Sequence, residues 1–198
     1  MKRNCLDLLL QRHSCRFIQH YVDKVSKERL IVLLKSLQGN ELMVVMDQNA
    51  NHVIQHIVST SSPDVFYEFF IALLSNPKGG IETIANDKYG CRVIQKCLER
   101  IVEFCTGTEA KTIDSMQMLN GTMPNPNCRS FNYSFNHDCF ITNCFSAAAN
   151  LLSTMIKLIL PNAAKFMEHE CANYVIQFII ESPPLEKQRT YIIKNYIM

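Results

Sequence analysis

Four pairs of side chains recur along the sequence, each pair spaced four residues apart and each ending in glutamine. The pairs are Cys15 with Gln19, Asn51 with Gln55, Cys91 with Gln95, and Asn173 with Gln177. On a helix, residues four apart lie on one face, so each pair presents two side chains side by side. Asparagine and glutamine amides hold a donor and an acceptor in one plane, which suits the edge of a nucleobase. The spacing therefore predicts four sites for base-edge contacts.

A residue with a planar face follows the first member of every pair. These residues are Arg16, His52, Arg92 and Tyr174. Guanidinium, imidazole and phenol groups stack on nucleobases when the bases of an unpaired strand are splayed apart. Packed helices lie about 8–10 Å apart, and a side chain inserted between two bases stretches their step to roughly 7 Å. One base per helix is therefore feasible on a concave surface, and the predicted ligand is single-stranded nucleic acid.

The pairs and their planar neighbours belong to a five-residue phrase whose third and fourth positions are always apolar. Its copies are Cys15-Arg16-Phe17-Ile18-Gln19, Asn51-His52-Val53-Ile54-Gln55, Cys91-Arg92-Val93-Ile94-Gln95 and Asn173-Tyr174-Val175-Ile176-Gln177. A small residue precedes each copy, namely Ser14, Ala50, Gly90 and Ala172. The apolar positions are predicted to face the core, because they turn away from the face that carries the first and fifth positions.

The spacing of the phrases indicates an all-α solenoid. The interval from Cys15 to Asn51 is 36 residues and that from Asn51 to Cys91 is 40, whereas the next phrase follows after 82. Periods of this length are typical of helical solenoids, whose units bury their apolar faces against one another. Each unit is predicted to hold a short helix, the phrase-bearing helix and an outer helix with an apolar stripe. About four such repeats fill the chain.

The long last interval is explained by an irregular loop insertion predicted over residues 103–148, with the outer helix resuming near Asn150. This stretch holds Gly107 and Gly121 and many asparagine, serine and threonine residues, and Met123-Pro124-Asn125-Pro126-Asn127 cannot be helical. An alternative is that Cys128-Arg129 marks a decayed copy of the phrase. That copy would lack the glutamine, and prolines stand where its preceding helix should be.

Composition excludes several classes of function. The net charge of +2 provides no broad basic field, so nucleic-acid binding must come from a specific surface. The nine cysteines include no Cys-x-x-Cys pair, which argues against a disulfide scaffold and indicates a reducing compartment. No apolar run is expected to approach the length of a membrane span. Zinc bound by Cys128, His137, Cys139 and Cys144 is a weak alternative, because their spacing matches no common site.

Catalysis is not expected, because no cluster of nucleophile, base and orienting group stands out and no glycine-rich phosphate loop is present. No cofactor, metal, small-molecule substrate or membrane partner is predicted.

The phrases and their frames at residues 47–55 and 87–95 resemble Pumilio/FBF (PUF) repeats, most closely the third to sixth of the eight that such domains usually hold. The resemblance implies a partial PUF domain over 1–198, with three-helix repeats in a curved right-handed superhelix. It implies that asparagine with glutamine reads uracil and cysteine with glutamine reads adenine. Because the family binds RNA antiparallel to the protein, the four pairs would read 5′-U-A-U-A-3′, with Arg16, His52, Arg92 and Tyr174 stacking on the bases.

The resemblance also implies a biological role. It predicts a cytoplasmic protein that binds elements in mRNA 3′ untranslated regions and represses those messages through partners such as the deadenylase complex. Three alternatives stay open at the level of sequence. They are a helical-repeat scaffold for protein interactions, a degenerate PUF paralogue with weak or no RNA binding, and a nucleolar PUF-like protein that acts on ribosomal RNA, which the low net charge disfavours.

Overall fold

The computed structural model describes residues 5–77, 79–107 and 135–198, and the side chains of residues 135–142 lie outside this description. Within these ranges every regular element is helical, so the predicted all-α fold is confirmed. The helices are α1 (Cys5–Leu9), α2 (Arg12–Val22), α3 (Lys27–Lys35), α4 (Glu41–Met46), α5 (Ala50–Thr60), α6 (Pro63–Leu74), α7 (Gly80–Asn86), α8 (Gly90–Thr106), α9 (Phe135–Ile159), α10 (Ala163–Glu168), α11 (Asn173–Glu181) and α12 (Glu186–Ile192). Two 3₁₀ turns, Leu160–Asn162 and Pro183–Leu185, and a π-helical turn, Ile193–Ile197, are also present.

The helices form repeated units of a short helix, a phrase-bearing helix and an outer helix. The phrase helices α2, α5, α8 and α11 pack side by side in one row. The outer helices α3, α6 and α9 form a second row behind them. This two-row arrangement is that of a helical-repeat solenoid, in which each unit contacts mainly its neighbours.

Apolar side chains spaced three and four residues apart fill the space between the two rows. In α6, Phe66 and Phe70 are fully buried and their rings meet edge to face, with centroids 5.7 Å apart. Pro63 occupies the first turn of this helix, where the missing amide hydrogen costs little. The outer row thus holds the phrase helices in place through aromatic and aliphatic packing.

The third position of the phrase does not face the core in every repeat. Val53, Val93 and Val175 are fully buried, but Phe17 is 72% exposed. In its row α11 contacts only the preceding α8, whereas α2 contacts only the following α5. Position three therefore packs against the preceding repeat, and the prediction was wrong for Phe17 because no such neighbour covers α2 among the described residues.

The boundaries predicted for the irregular segment at 103–148 are also wrong. Helix α8 continues to Thr106, and α9 already begins at Phe135. Cys105 and Cys144 are buried, which explains why both flanks are helical. Helix α9 packs against α6 and α8, the place of an outer helix for the third repeat. Residues 108–134, including Cys128-Arg129, lie outside the described residues, and the insertion stays a prediction there.

One helical stretch is longer and more apolar than the sequence analysis expected. Asn143–Glu168 has the length and composition of a membrane span, with a mean hydropathy of 1.4. It contains part of α9, and 44% of its most apolar window is buried inside the protein. Its apolar side chains are accounted for by packing in the outer row.

Polar contacts also join neighbouring repeats. Asn49 Nδ2 donates to Leu10 O across 2.9 Å, which links the second repeat to the first. Arg100 Nε donates to Ser61 O across 3.3 Å, which links the third repeat to the second. In the outer row, Asp64 forms an ion pair with Lys27. These contacts fix the register of each phrase helix relative to the next.

Candidate nucleic-acid interface

A capped turn positions the start of the phrase helix in three repeats. Asp47 Oδ1 accepts hydrogen bonds from the amides of Asn49 and Ala50, both at 2.8 Å. Asp87 and His169 occupy the same place in the third and fourth repeats. Asp87 Oδ1 lies 2.9 and 2.8 Å from the amides of Tyr89 and Gly90, and His169 Nδ1 lies 3.1 and 3.4 Å from those of Cys171 and Ala172. The sequence analysis missed this cap, although the residue four before each phrase could have indicated it.

The small residue before each phrase is required by close packing. Ala50, Gly90 and Ala172 are all buried. A Cβ atom placed on Gly90 would lie 2.5 Å from Ile84 O, closer than a carbon can approach a backbone oxygen. Helix α8 thus meets the preceding short helix more closely than an alanine allows.

The first phrase residue is tied to the turn before it in all four repeats. Its side chain donates to a main-chain carbonyl one turn earlier. The distances are 2.7 Å from Asn51 Nδ2 to Asp47 O, 2.8 Å from Asn173 Nδ2 to His169 O, 3.1 Å from Cys15 Sγ to Arg12 O, and 3.5 Å from Cys91 Sγ to Lys88 O. The four residues therefore have equivalent orientations despite their different chemistry.

Burial separates these four residues into two groups. Cys15, Asn51 and Cys91 are buried, whereas Asn173 is half-buried. Burial raises the pKa of the Cys91 thiol to about 11, so this thiol stays protonated at neutral pH. Contact of these side chains with a base stays a prediction, and for Asn51 it requires Gln55 to release the Asn51 Oδ1 atom.

The fifth position is glutamine in every phrase, but its side-chain amide makes different contacts in different repeats. Gln55 Nε2 donates to Asn51 Oδ1 at 2.8 Å, so the carbonyl of this amide is turned outward. In the third repeat Arg92 Nη1 donates to Gln95 Oε1 at 3.2 Å, which leaves the Gln95 amino group free for a ligand. In the fourth repeat Gln177 Nε2 donates to Glu181 Oε1 at 2.8 Å. The glutamines of the second, third and fourth repeats are thus each oriented by a neighbour of different chemistry.

Two predicted stacking residues line an open groove between α2 and α5. Arg16 and His52 are exposed, and the groove between them has a volume of about 560 Å³. Three predicted base-edge residues, Cys15, Gln19 and Gln55, also line it. The structure therefore brings together five of the six predicted residues of the first two repeats, whereas Asn51 is buried and does not line the groove.

Further basic residues, which the sequence analysis did not predict as part of the site, line the same groove. They are Arg12, His56 and Lys96. His56 Nε2 lies 2.6 Å from Asp23 Oδ1 on α2, which joins the two walls of the groove. The missed signal is a basic residue directly after the glutamine in the first three phrases, at His20, His56 and Lys96.

The other two predicted stacking residues contact each other. Arg92 on α8 lies over the ring of Tyr174 on α11, with 4.2 Å between the guanidinium carbon and the ring centroid. A base inserted between two planar groups needs about 7 Å. The junction between α8 and α11 is therefore closed to an intercalated base until one of the two side chains moves.

The structure offers no support for zinc in its described part. No group of three or more histidine, cysteine, aspartate or glutamate side chains lies together there. Cys144 Sγ instead donates to Asp64 Oδ1 across 2.9 Å. Cys128 and the side chains of His137 and Cys139 lie outside the described residues.

Repeated three-helix units with aligned phrase helices define a class of helical-repeat protein. A sequence model of the "Pumilio-family RNA binding repeat" matches residues 4–35, 42–70, 81–113 and 162–195, so the chain belongs to this family. The four predicted repeats are confirmed, each match containing one phrase.

Two relatives and one solved structure show how much of the chain is similar to known proteins. The chain is 27% identical to Fem-3 mRNA-binding factor 2 of Caenorhabditis elegans, over 97% of this chain and 26% of that protein. It is 26% identical to Pumilio domain-containing protein 6 of the same organism, over 86% of this chain and 28% of that protein. It also matches the crystal structure of PUF-6 in complex with RNA, with a TM-score of 0.71, 25% identity, and coverage of 98% of this chain and 43% of that one. The chain thus spans about a quarter of the length of these curated relatives.

Proposed function

We propose that this protein binds single-stranded RNA along the row of phrase helices, one base per repeat. The observation that carries the proposal is the alignment of four equivalent helices whose outward positions hold amides and planar side chains. Base-edge hydrogen bonds and stacking both act on unpaired bases, and neither requires a high net charge. Membership in the Pumilio family supports the same ligand.

The basic groove between α2 and α5 supplies the electrostatic part of the proposal. Arg12, Arg16 and Lys96 carry fixed positive charge around a space of about 560 Å³. Phosphate contacts of this kind position a strand without reading its sequence. The amides and thiols of the phrase would then select the bases, with 5′-U-A-U-A-3′ as the proposed element.

We further propose that the RNA is mRNA and that binding represses it in the cytoplasm. The printed name of the relative Fem-3 mRNA-binding factor 2 supports mRNA as the class of target. Recognition of a 3′ untranslated element and recruitment of a deadenylase complex rest on the family resemblance alone. The rival role as a protein-interaction scaffold predicts that the phrase residues are irrelevant to activity.

The test compares a U-A-U-A-containing RNA with a scrambled RNA of equal length by fluorescence anisotropy. The variant Asn51→Ala/Gln55→Ala should lose about 1–3 kcal/mol of binding free energy for the contacted base. Thr60→Ala is the matched control, because Thr60 lies at the end of the same helix outside the groove lining, and its hydroxyl donates to the His56 backbone carbonyl across 2.9 Å. Equal binding of both RNAs by all three proteins would refute base readout.

A change of base preference is a sharper test. Cys91→Asn gives the third repeat the side chains of the second, so preference at the second base of the element should move from adenine toward uracil. The measurement compares RNAs that carry adenine or uracil at the second base. An unchanged ratio of these two affinities in the variant would show that the first phrase position does not contact the base.

A further inference from the structure

The residue four positions after the phrase glutamine is acidic in three repeats and is serine in the second. The residues at this place are Asp23, Ser59, Glu99 and Glu181. Asp23 pairs with His56 at 2.6 Å, and Glu99 pairs with Lys96 at 3.0 Å. Both carboxylates are thus engaged by a basic side chain that directly follows a phrase.

The fourth repeat has no such basic side chain after its phrase. Phe178 stands where His56 and Lys96 stand in the second and third repeats. Without that partner, the Glu181 carboxylate takes the amide of Gln177, with 2.8 Å between Gln177 Nε2 and Glu181 Oε1. Because an ionised carboxylate only accepts hydrogen bonds, this contact fixes the Gln177 amide with its nitrogen toward Glu181.

The neighbouring amide is fixed in the same sense. Asn173 Nδ2 donates to His169 O at 2.8 Å and to Glu170 O at 3.1 Å, so both hydrogens of its amino group are used. The groups left for a base are the carbonyl oxygens of Asn173 and Gln177 and the second N–H of Gln177. In the second repeat the same two residue types bond each other instead, through Gln55 Nε2 and Asn51 Oδ1.

We propose that Glu181 is a positioning residue for base selection in the fourth repeat. By holding the Gln177 amide it fixes which side of that amide carries the acceptor oxygen, and an acceptor placed opposite the ring nitrogen favours bases with a ring N–H donor over bases with an unprotonated ring nitrogen on that edge. Uracil and guanine carry such a donor, whereas cytosine and adenine carry an acceptor there. The inference rests on the proposed RNA binding and adds a residue outside the phrase to the readout.

The experiment measures affinities for four RNAs that differ only in the first base of the U-A-U-A element. The wild-type protein should prefer uracil and guanine to cytosine and adenine at this base. Glu181→Ala should reduce the ratio of uracil to cytosine affinity by about two- to fivefold, since a solvent-exposed side-chain hydrogen bond on a helix is weak. Preference at the second and third bases should not change.

A charge-matched control removes the effect of reduced repulsion from the RNA backbone. Glu103 is exposed and, like Glu181, lines a cleft between α8 and α11. Its one ion pair in the described structure is with Arg100. Glu103→Ala should raise all four affinities to a similar extent and leave their ratios unchanged. Circular dichroism of both variants confirms that α11 is folded.

The outcomes separate the two proposals. If the wild-type protein binds the U-A-U-A and scrambled RNAs equally, the proposed function fails. If it selects the second and third bases but Glu181→Ala leaves the uracil-to-cytosine ratio at the first base unchanged, only the role of Glu181 is overturned. A wild-type protein that does not discriminate at the first base overturns it as well.

Discussion

The groove between α2 and α5 and the contact between α8 and α11 use the same phrase positions in two ways. Arg16 and His52 line an open groove with a volume of about 560 Å³. At the other junction, Arg92 lies 4.2 Å from the ring of Tyr174 and fills the corresponding space. A guanidinium attracts an electron-rich phenol ring but gains no such contact with a second basic group. The type of stacking residue thus determines which group would stack on a base and whether the space for that base is open before RNA binds.

The largest expected effect concerns the helix that belongs to the closed junction. Gly90→Ala should lower the free energy of unfolding by about 3 kcal/mol, because its Cβ would lie 2.5 Å from Ile84 O and α8 would have to shift. Urea denaturation measures the effect. Ala172→Gly, at the residue directly before α11, is the control, with an expected loss of at most about 1 kcal/mol for added backbone freedom. Equal losses would show that α8 is not packed more closely than α11.

Removal of one stacking arginine from each junction tests the comparison directly. Arg16→Ala should weaken RNA binding by about 2 kcal/mol, the typical cost of losing a stacked base. Arg92→Ala should cost about 1 kcal/mol, because breaking the Arg92–Tyr174 contact already takes about 0.5–1 kcal/mol from the wild-type protein. Both affinities are measured at one salt concentration. Equal losses would mean that the closed junction imposes no opening cost.

High pH should destabilise α8, since burial raises the pKa of its three thiols, Cys91, Cys97 and Cys105, and keeps them protonated in the folded protein. Burial raises the pKa of Cys91 to about 11 and that of Cys105 to about 12, from an ordinary value of 9.0. Below pH 9 these groups do not affect stability, because folded and unfolded chains both hold the protons. Above it only the unfolded chain releases them, so each thiol lowers stability by about 1.4 kcal/mol per pH unit up to its folded pKa.

Urea denaturation between pH 8 and 11 measures this slope. Cys105→Ala is less stable at every pH, but its stability should fall less steeply than that of the wild-type protein. Parallel slopes would contradict the assignment to buried thiols.

The smallest expected effect concerns the cap of the fourth phrase helix. His169 Nδ1 accepts amide hydrogen bonds at 3.1 and 3.4 Å, whereas Asp47 Oδ1 accepts both of its bonds at 2.8 Å. His169→Asp should raise the free energy of unfolding by about 0.5 kcal/mol, because a carboxylate forms stronger bonds to the amides of a helix start. Thermal denaturation at neutral pH measures the gain, and Asp87→His should show a loss. A destabilised His169→Asp variant would contradict the equivalence of the caps.

The sequence predicted the array because the phrase itself is nearly invariant. Cys15, Asn51, Cys91 and Asn173 recur at fixed places relative to glutamine, and each is found tied to the preceding turn. The orientation of each glutamine could not be predicted in this way. It depends on which neighbouring side chain on the same helix reaches the amide, namely Asn51, Arg92 or Glu181, and these residues differ in type and position from repeat to repeat.

Two further differences arose from reading composition locally. The polar composition of residues 103–148 predicts an irregular segment, but α8 continues to Thr106 and α9 begins at Phe135. Burial of Cys105 and Cys144 in the core outweighs the weak helix propensity of their neighbours. The position of Phe17 differed because its burial depends on a preceding repeat rather than on the phrase.

The hydrogen bonds that join the backbone of one repeat to the side chains of the next have a consequence for folding. Asn49 reaches back to Leu10 O, and Arg100 reaches back to Ser61 O, so the second repeat is tied on both sides. In a linear array, opening begins at units with one neighbour and spreads by steps whose cost is set by each interface. Among the described residues, α5 packs against a phrase helix on each side and α2 against one, so the amides of α5 should exchange with solvent deuterium more slowly than those of α2.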